Sequence, residues 1–158
     1  VTDGDLNGAG SGSGYTVGSD AIVPFSMSAI VESSKLIGSL TSGEKRDAYE
    51  FTKANTDVYD SAASYEKFAN TWTIANQGGW SVTWTLDNKG KLTGSSVTTG
   101  CTYGGAVTLR SEGKAIVDAK VVETCNGQAL EFNGIAYVKG GKPVFTLVSS
   151  KGPLLLKF

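Results

Sequence analysis

The chain contains no histidine. That absence excludes a Ser-His-Asp triad and leaves any serine or cysteine nucleophile without its commonest activating base near neutral pH. Cysteine is nearly missing too: Cys101 and Cys125 are the only two, and they are not in CxxC spacing. With so few nitrogen and sulfur donors, no structural zinc site is expected, and no metal is assigned. Charge of one sign is also lacking, because fourteen basic and fifteen acidic side chains give a formal net charge of −1 without long runs of either. Nothing in that total points to nucleic acid or an anionic membrane as a partner. Long apolar runs are absent as well. Leu154-Leu155-Leu156 is typical of the longest, against the roughly 20 residues that a membrane-crossing helix requires.

What is present is a β-rich profile: 158 residues, 40% hydrophobic and 18% charged, with 21 glycines but only 3 prolines. A chain of this length buries roughly two-thirds of the surface its unfolded form exposes, so it does not need a disulfide merely to fold. The start, Val1 to Ser19, includes "GAGSGSG" at residues 8 to 14 and has almost nothing to bury. It reads as a flexible tether, residues 1–19, ahead of a single globular domain, residues 20–158. A first residue that is Val, with no basic and apolar leader, suggests a processed chain.

Two motifs in the tether resemble binding loops. "DGDLNG" at residues 3 to 8 has the opening of a calcium loop, yet the twelfth position is Gly14 where a bidentate Glu is required, and the segment is read as a polar tail. "GSGSG" at 10 to 14 lacks the Lys-Ser/Thr of a phosphate-cradling loop. No cofactor is expected.

From Thr71 onward the apolar residues alternate. Trp80, Val82, Trp84 and Leu86 fall on one face, with Ser81, Thr83 and Thr85 on the other, as a half-buried strand requires. "DNKG" at 87 to 90 supplies a turn. The same grammar continues through stretches near 91–98, 101–109, 115–124, 129–138, 144–149 and 153–158, separated by "RSEGK", "CNGQ" and "KGGKP". Glycines 94, 104, 105 and 134 lie inside these runs and mark bulges, bends or close backbone approaches. The expected fold is mainly β, an antiparallel β-barrel or curved meander of about seven or eight strands, with one or two helices from the N-terminal half.

The N-terminal half is less regular. "AIVPF" at 21–25 fits a short edge strand, where Pro24 is tolerated. Met27, Ile30, Val31, Ile37 and Leu40 match a helical face only in part, and "AYEF" at 48–51 fits a strand equally well. Val58, Ala62, Tyr65 and Ala69 recur at steps of four, three and four, with Thr56 or Asp57 as N-cap, which predicts a helix between Asp57 and Asn70.

Hairpin geometry addresses the cysteines. If "RSEGK" turns at Ser111 and Glu112, residue 101 lies opposite 122 or 123, and a small register slip or a bulge at Gly104-Gly105 brings Cys101 to Cys125. A disulfide is the leading reading, with two free buried thiols or a reactive cysteine as alternatives. A disulfide implies an oxidising compartment: periplasm, outer-membrane surface or extracellular space. Trp72, Trp80 and Trp84 cluster closely. Core packing is the default for them, and ligand stacking inside a barrel or cleft is the alternative.

"GGWSVTW…GKLTG", covering Gly79 to Gly94, resembles the barrel opening of lipocalins and avidins. No tryptophan follows Trp84, so no binding residues carry over. "GKLTGSSVTTGCTYGGAVTL", "VVETCNGQALEFNGIAYV" and "VFTLVSS" resemble the C-terminal part of small uncharacterised Gram-negative envelope proteins, many of them lipoproteins. Cys101, Tyr103, Gly105, Cys125 and the "GIAY" of 134–137 carry that resemblance, which spans residues 90 to 158. It implies export and a disulfide, leaves a lipid anchor upstream of Val1 open, and implies no activity.

The resulting expectation is an exported, non-enzymatic envelope or surface domain that recognises a host or envelope macromolecule, in the manner of a surface antigen or adhesin. A small-ligand carrier using the barrel interior is the alternative, and a glycan-active enzyme with paired carboxylates is the third reading. Oligomeric state is open.

Overall fold

The computed structural model describes residues 8–17, 22–32, 35–52, 61–75, 78–110 and 113–158. The chain divides into two compact units, Val1–Asn55 and Thr56–Phe158, rather than one domain from residue 20.

The first unit is a four-stranded antiparallel meander of β1 (Gly8–Val17), β2 (Ile22–Glu32), β3 (Lys35–Ser42) and β4 (Lys45–Thr52), in that order. Most of the expected tether is therefore strand: β1 pairs with β2 from Gly8↔Val31 to Val17↔Ile22. Strand propensity is weak in a Gly/Ser run, but β2 offers a full ladder of backbone donors and acceptors, and pairing overrides the preference. Residues 1–7, with most of the calcium-like motif, and 18–19 lie outside the described residues.

β2 also corrects the expected edge strand at 21–25. It extends to Glu32 and is flanked on both sides, although the ladder with β3 begins only at Ser26↔Thr41, beyond Pro24. Met27 and Val31 follow period 2 on one face and Ile30 falls on the other, so the helical period is not used. Register places Met27 and Val31 on one face with Leu36, Leu40, Tyr49 and Phe51. Ser28 and Ser39 bond to each other on the opposite face at 3.2 Å, and Lys35 pairs with Glu50 there at 2.6 Å. None of the described side chains in this unit is fully buried.

The second unit is an eight-stranded antiparallel sheet with strictly sequential neighbours. Its strands are β5 (Asn70–Ala75), β6 (Ser81–Leu86), β7 (Lys91–Ser95), β8 (Thr102–Leu109), β9 (Val117–Cys125), β10 (Gln128–Lys139), β11 (Lys142–Ser149) and β12 (Gly152–Lys157). The expected meander is present, as an open half-barrel in which β5 and β12 remain edges.

The helix expected between Asp57 and Asn70 is not formed in its described part. Ser61–Ala69 holds a single 3-10 turn, Tyr65–Lys67, before β5 begins. The Ala63 amide donates instead to the Lys114 carbonyl at 3.0 Å, which ties this segment to a distant loop and removes a donor that a helix would use. Positions 57–60 lie outside the described residues.

Alternation builds the core of this unit. Val82, Trp84 and Leu86 of β6 are at most 2% exposed, while Thr71–Thr85 and Thr73–Thr83 hydroxyl pairs, each 2.9 Å apart, line the other face. The turn at 87–90 is held by the Asp87 carboxylate, which accepts the Lys89 and Lys91 amides at 2.8 and 2.9 Å. Those two bonds keep the Asp87 carboxyl below its usual range.

Curvature is visible in ring contacts. Trp84 on β6 and Phe145 on β11 sit five strand positions apart in the sheet, a spacing of about 24 Å if it were flat. Their ring centroids are 5.1 Å apart. Small inward residues permit this curl: at Gly94 a Cβ would collide with the Trp84 ring and the Thr83 carbonyl, and at Gly134 with the backbone of Thr146 and Leu147.

Among the described residues, every buried core side chain belongs to the second unit. A fragment of residues 56–158 is therefore expected to keep its disulfide, its near-UV circular dichroism and a cooperative urea transition. Loss of the near-UV signal in that fragment would show that the units fold only together.

Candidate functional site

The inner face of the half-barrel is where the residues singled out by sequence meet. Antiparallel register lines up Trp72 (β5), Trp84 (β6), Gly94 (β7), Tyr103 (β8), Glu123 (β9) and Leu130 (β10) across the sheet. Cys101 and Cys125 follow on the same face beyond Tyr103 and Glu123.

Trp84 is 0% exposed. Its ring lies 5.5 Å from Tyr103, 5.1 Å edge-on to Phe145 and 5.5 Å from Phe158, the last held by its amide on the Pro143 carbonyl at 3.1 Å. Such tilted and edge-on pairs add roughly 0.5–1.5 kcal/mol each beyond burial. They offset the penalty at the indole Nε1, which is buried without a hydrogen-bond partner among the described residues. Trp72 is half-buried and donates its Nε1 to the Phe68 carbonyl at 2.8 Å, linking β5 to the 3-10 turn. Trp80, half-buried, precedes β6 and packs against the margin of the core. The three tryptophans thus occupy the core and its margin.

Cys101 and Cys125 form a disulfide with Cα atoms 4.5 Å apart. The route is one of the two expected. Thr102 pairs with Thr124 and Leu109 with Val117, so Cys101 faces Cys125 directly, through a slip in register and with no bulge at Gly104-Gly105. The connection from Arg110 to Ile116 is longer than a tight turn centred on Ser111 and Glu112, and Arg110 Nε donates to the Asp118 carboxylate across its mouth at 3.0 Å. Two extra loop residues shift the register by the amount the cysteines need.

Glu123 is the inward-facing acid of this site. Tyr103 Oη donates to it at 2.8 Å. Burial, then this bond and the carboxylate charge, raise the Tyr103 phenol above its usual value. Cys101, Glu123 and Cys125 lie close enough to suggest a metal site. Both sulfurs are bonded to each other and Glu123 accepts from Tyr103, so no thiolate is on offer. Other acids are held elsewhere: Asp118 by Arg110, Glu131 by Lys120 at 2.8 Å and by Asn133 at 2.9 Å.

A second feature borders the disulfide. The loop after β7 carries Val97, 89% exposed. It is pinned by Ser96 Oγ donating to the Ser81 carbonyl at 2.7 Å, by Thr98 Oγ1 donating to the Gly79 carbonyl at 2.8 Å, and by the Ser81 amide donating back to Thr98 at 2.9 Å.

Sequence reading did not single out Glu123, Phe145 or Phe158. Alternation on β9 and β11 carries a signal for the first two. Phe158 meets Trp84 only because the sheet curls.

Comparison of the chain with protein-family models, curated proteins and solved structures returns no match. Among the described residues, no helix is long and apolar enough to cross a membrane.

Two outcomes are expected. Replacing both cysteines by serine should lower stability to urea by about 2–4 kcal/mol, and dithiothreitol should reproduce the loss in the native chain. Tyr103 keeps its proton longer in the folded than in the unfolded chain, so its contribution is complete below about pH 10 and lost as pH rises above that. The alkaline decline in thermal midpoint should therefore be shallower in Tyr103→Phe, and an unchanged decline would assign it to other groups.

Proposed function

We propose that this chain is an exported, non-enzymatic domain of a cell envelope or cell surface that recognises a macromolecular partner, in the manner of a surface antigen or adhesin. The observation that carries this reading is the filled inner face: Trp84, Phe145 and Leu147 are 0% exposed where a carrier needs an open cavity of several hundred Å3. Recognition then falls to the outside. A loop such as that of Val97, already ordered by its own hydrogen bonds, loses little entropy on contact. The disulfide suits an oxidising compartment, and an envelope lipoprotein with a lipid anchor upstream of Val1 fits the same setting. Engagement of Asp118, Glu123 and Glu131 in structural bonds argues against a glycan-active enzyme.

The test begins with tryptophan fluorescence of the oxidised protein. Emission should be blue-shifted, resistant to iodide and unmoved by fatty acids or small oligosaccharides. Immobilised protein should then bind at least one purified surface polysaccharide or matrix protein, and Val97→Glu should weaken that binding. A shift in emission on titration with a small ligand would instead establish the carrier.

A further inference from the structure

The near-zero net charge conceals a strong local imbalance. Residues 132–158 contain four lysines, Lys139, Lys142, Lys151 and Lys157, and no acidic residue. The other 131 residues then hold ten basic and fifteen acidic side chains, a net −5.

The sheet gathers that charge onto one face. Lys139 lies directly opposite Lys142, and Lys157 is opposite Val144, which is itself opposite Tyr137. All three lysines therefore stand on the outer side of β10–β12, since the inward side holds Ala136, Phe145 and Leu156. Like charges directly opposite each other in a sheet are destabilising, and none of these lysines has an ion-pair partner among the described residues. Beside the lysine row the same face carries apolar side chains among the polar Thr146 and Asn133. Val148 and Leu155 are each 43% exposed and diagonal to one another across β11 and β12, with Pro153 opposite Val148. The patch runs to β12, the unpaired edge of the sheet. On the neighbouring outer stretch, by contrast, Lys120 is neutralised by Glu131.

We infer that this face of β10–β12 docks onto an anionic lipid surface, with Val148 and Leu155 at the acyl boundary and Lys139, Lys142 and Lys157 among the phosphates. Aliphatic side chains beside unpaired lysines match the apolar and charged layers of such an interface. Lysine suits it as a compact charge that needs no bidentate geometry. This contact goes beyond the recognition proposed above and does not depend on it.

The experiment is co-flotation of the full chain with vesicles of phosphatidylglycerol and phosphatidylcholine in equal parts, against vesicles of phosphatidylcholine only. Binding is expected to the first and to weaken with added salt. At about fivefold per lysine, a Lys139→Gln, Lys142→Gln, Lys157→Gln variant should bind roughly one hundredfold more weakly. A control with the same charge loss elsewhere, Lys45→Gln, Arg46→Gln, Lys89→Gln, should float like the native chain. Leu155→Asn should reduce binding at every salt concentration. Near-UV circular dichroism establishes that each variant is folded. Equal binding to both vesicle types, equal loss in the control, or no flotation would overturn the inference. So would a Leu155→Asn variant that changes only self-association in gel filtration, because the patch would then join copies of the chain.

Discussion

The contact of Trp84 with Phe145 and Phe158 is the one on which the second unit depends. It joins strands that are far apart in the sheet, and it exists only because the sheet is coiled. Once the rings meet, the inner face excludes water, and the alternating residues of β6 to β12 have somewhere to be buried. Without that closure the same strands would form a flat sheet with an apolar side in water. Coiling also separates the two faces by role: packing inside, and charge with exposed apolar groups outside.

The disulfide follows from the same register. Cys101 and Cys125 stand opposite each other because the loop from Arg110 to Ile116 sets the pairing of β8 with β9. The crosslink restricts the unfolded chain more than it shapes the native one. Tyr103 and Glu123, one pleat further in, satisfy each other where an unpaired carboxylate would be costly. Together these features give an inner face whose polar groups are largely occupied with structure.

Much of this was legible beforehand. The strands from β6 to β12 are legible to within a few residues because Val82, Trp84 and Leu86, and their counterparts further on, obey period 2 between glycine-rich turns. Structure departs from local pattern where that pattern is weak. Residues 8–17 carry no apolar alternation, so nothing announced that a Gly/Ser run would pair as β1. Ala62, Tyr65 and Ala69 kept a helical spacing, yet the Ala63 amide found its partner in a loop near Lys114. The charge total was correct and uninformative, since a sum over the chain cannot show that one end holds four lysines and no acid.

The class of fold, the turns and the lack of histidine-based chemistry are written in the amino-acid sequence. These depend on nearest neighbours and on what residue types are present. Folding in three dimensions is what brings Cys101 to Cys125, encloses Trp84, carries Phe158 to it, and puts Lys139, Lys142 and Lys157 on one face with Leu155. Each of those facts depends on strand register and sheet curvature, which sum small twists over many residues and leave no mark in any short stretch of sequence.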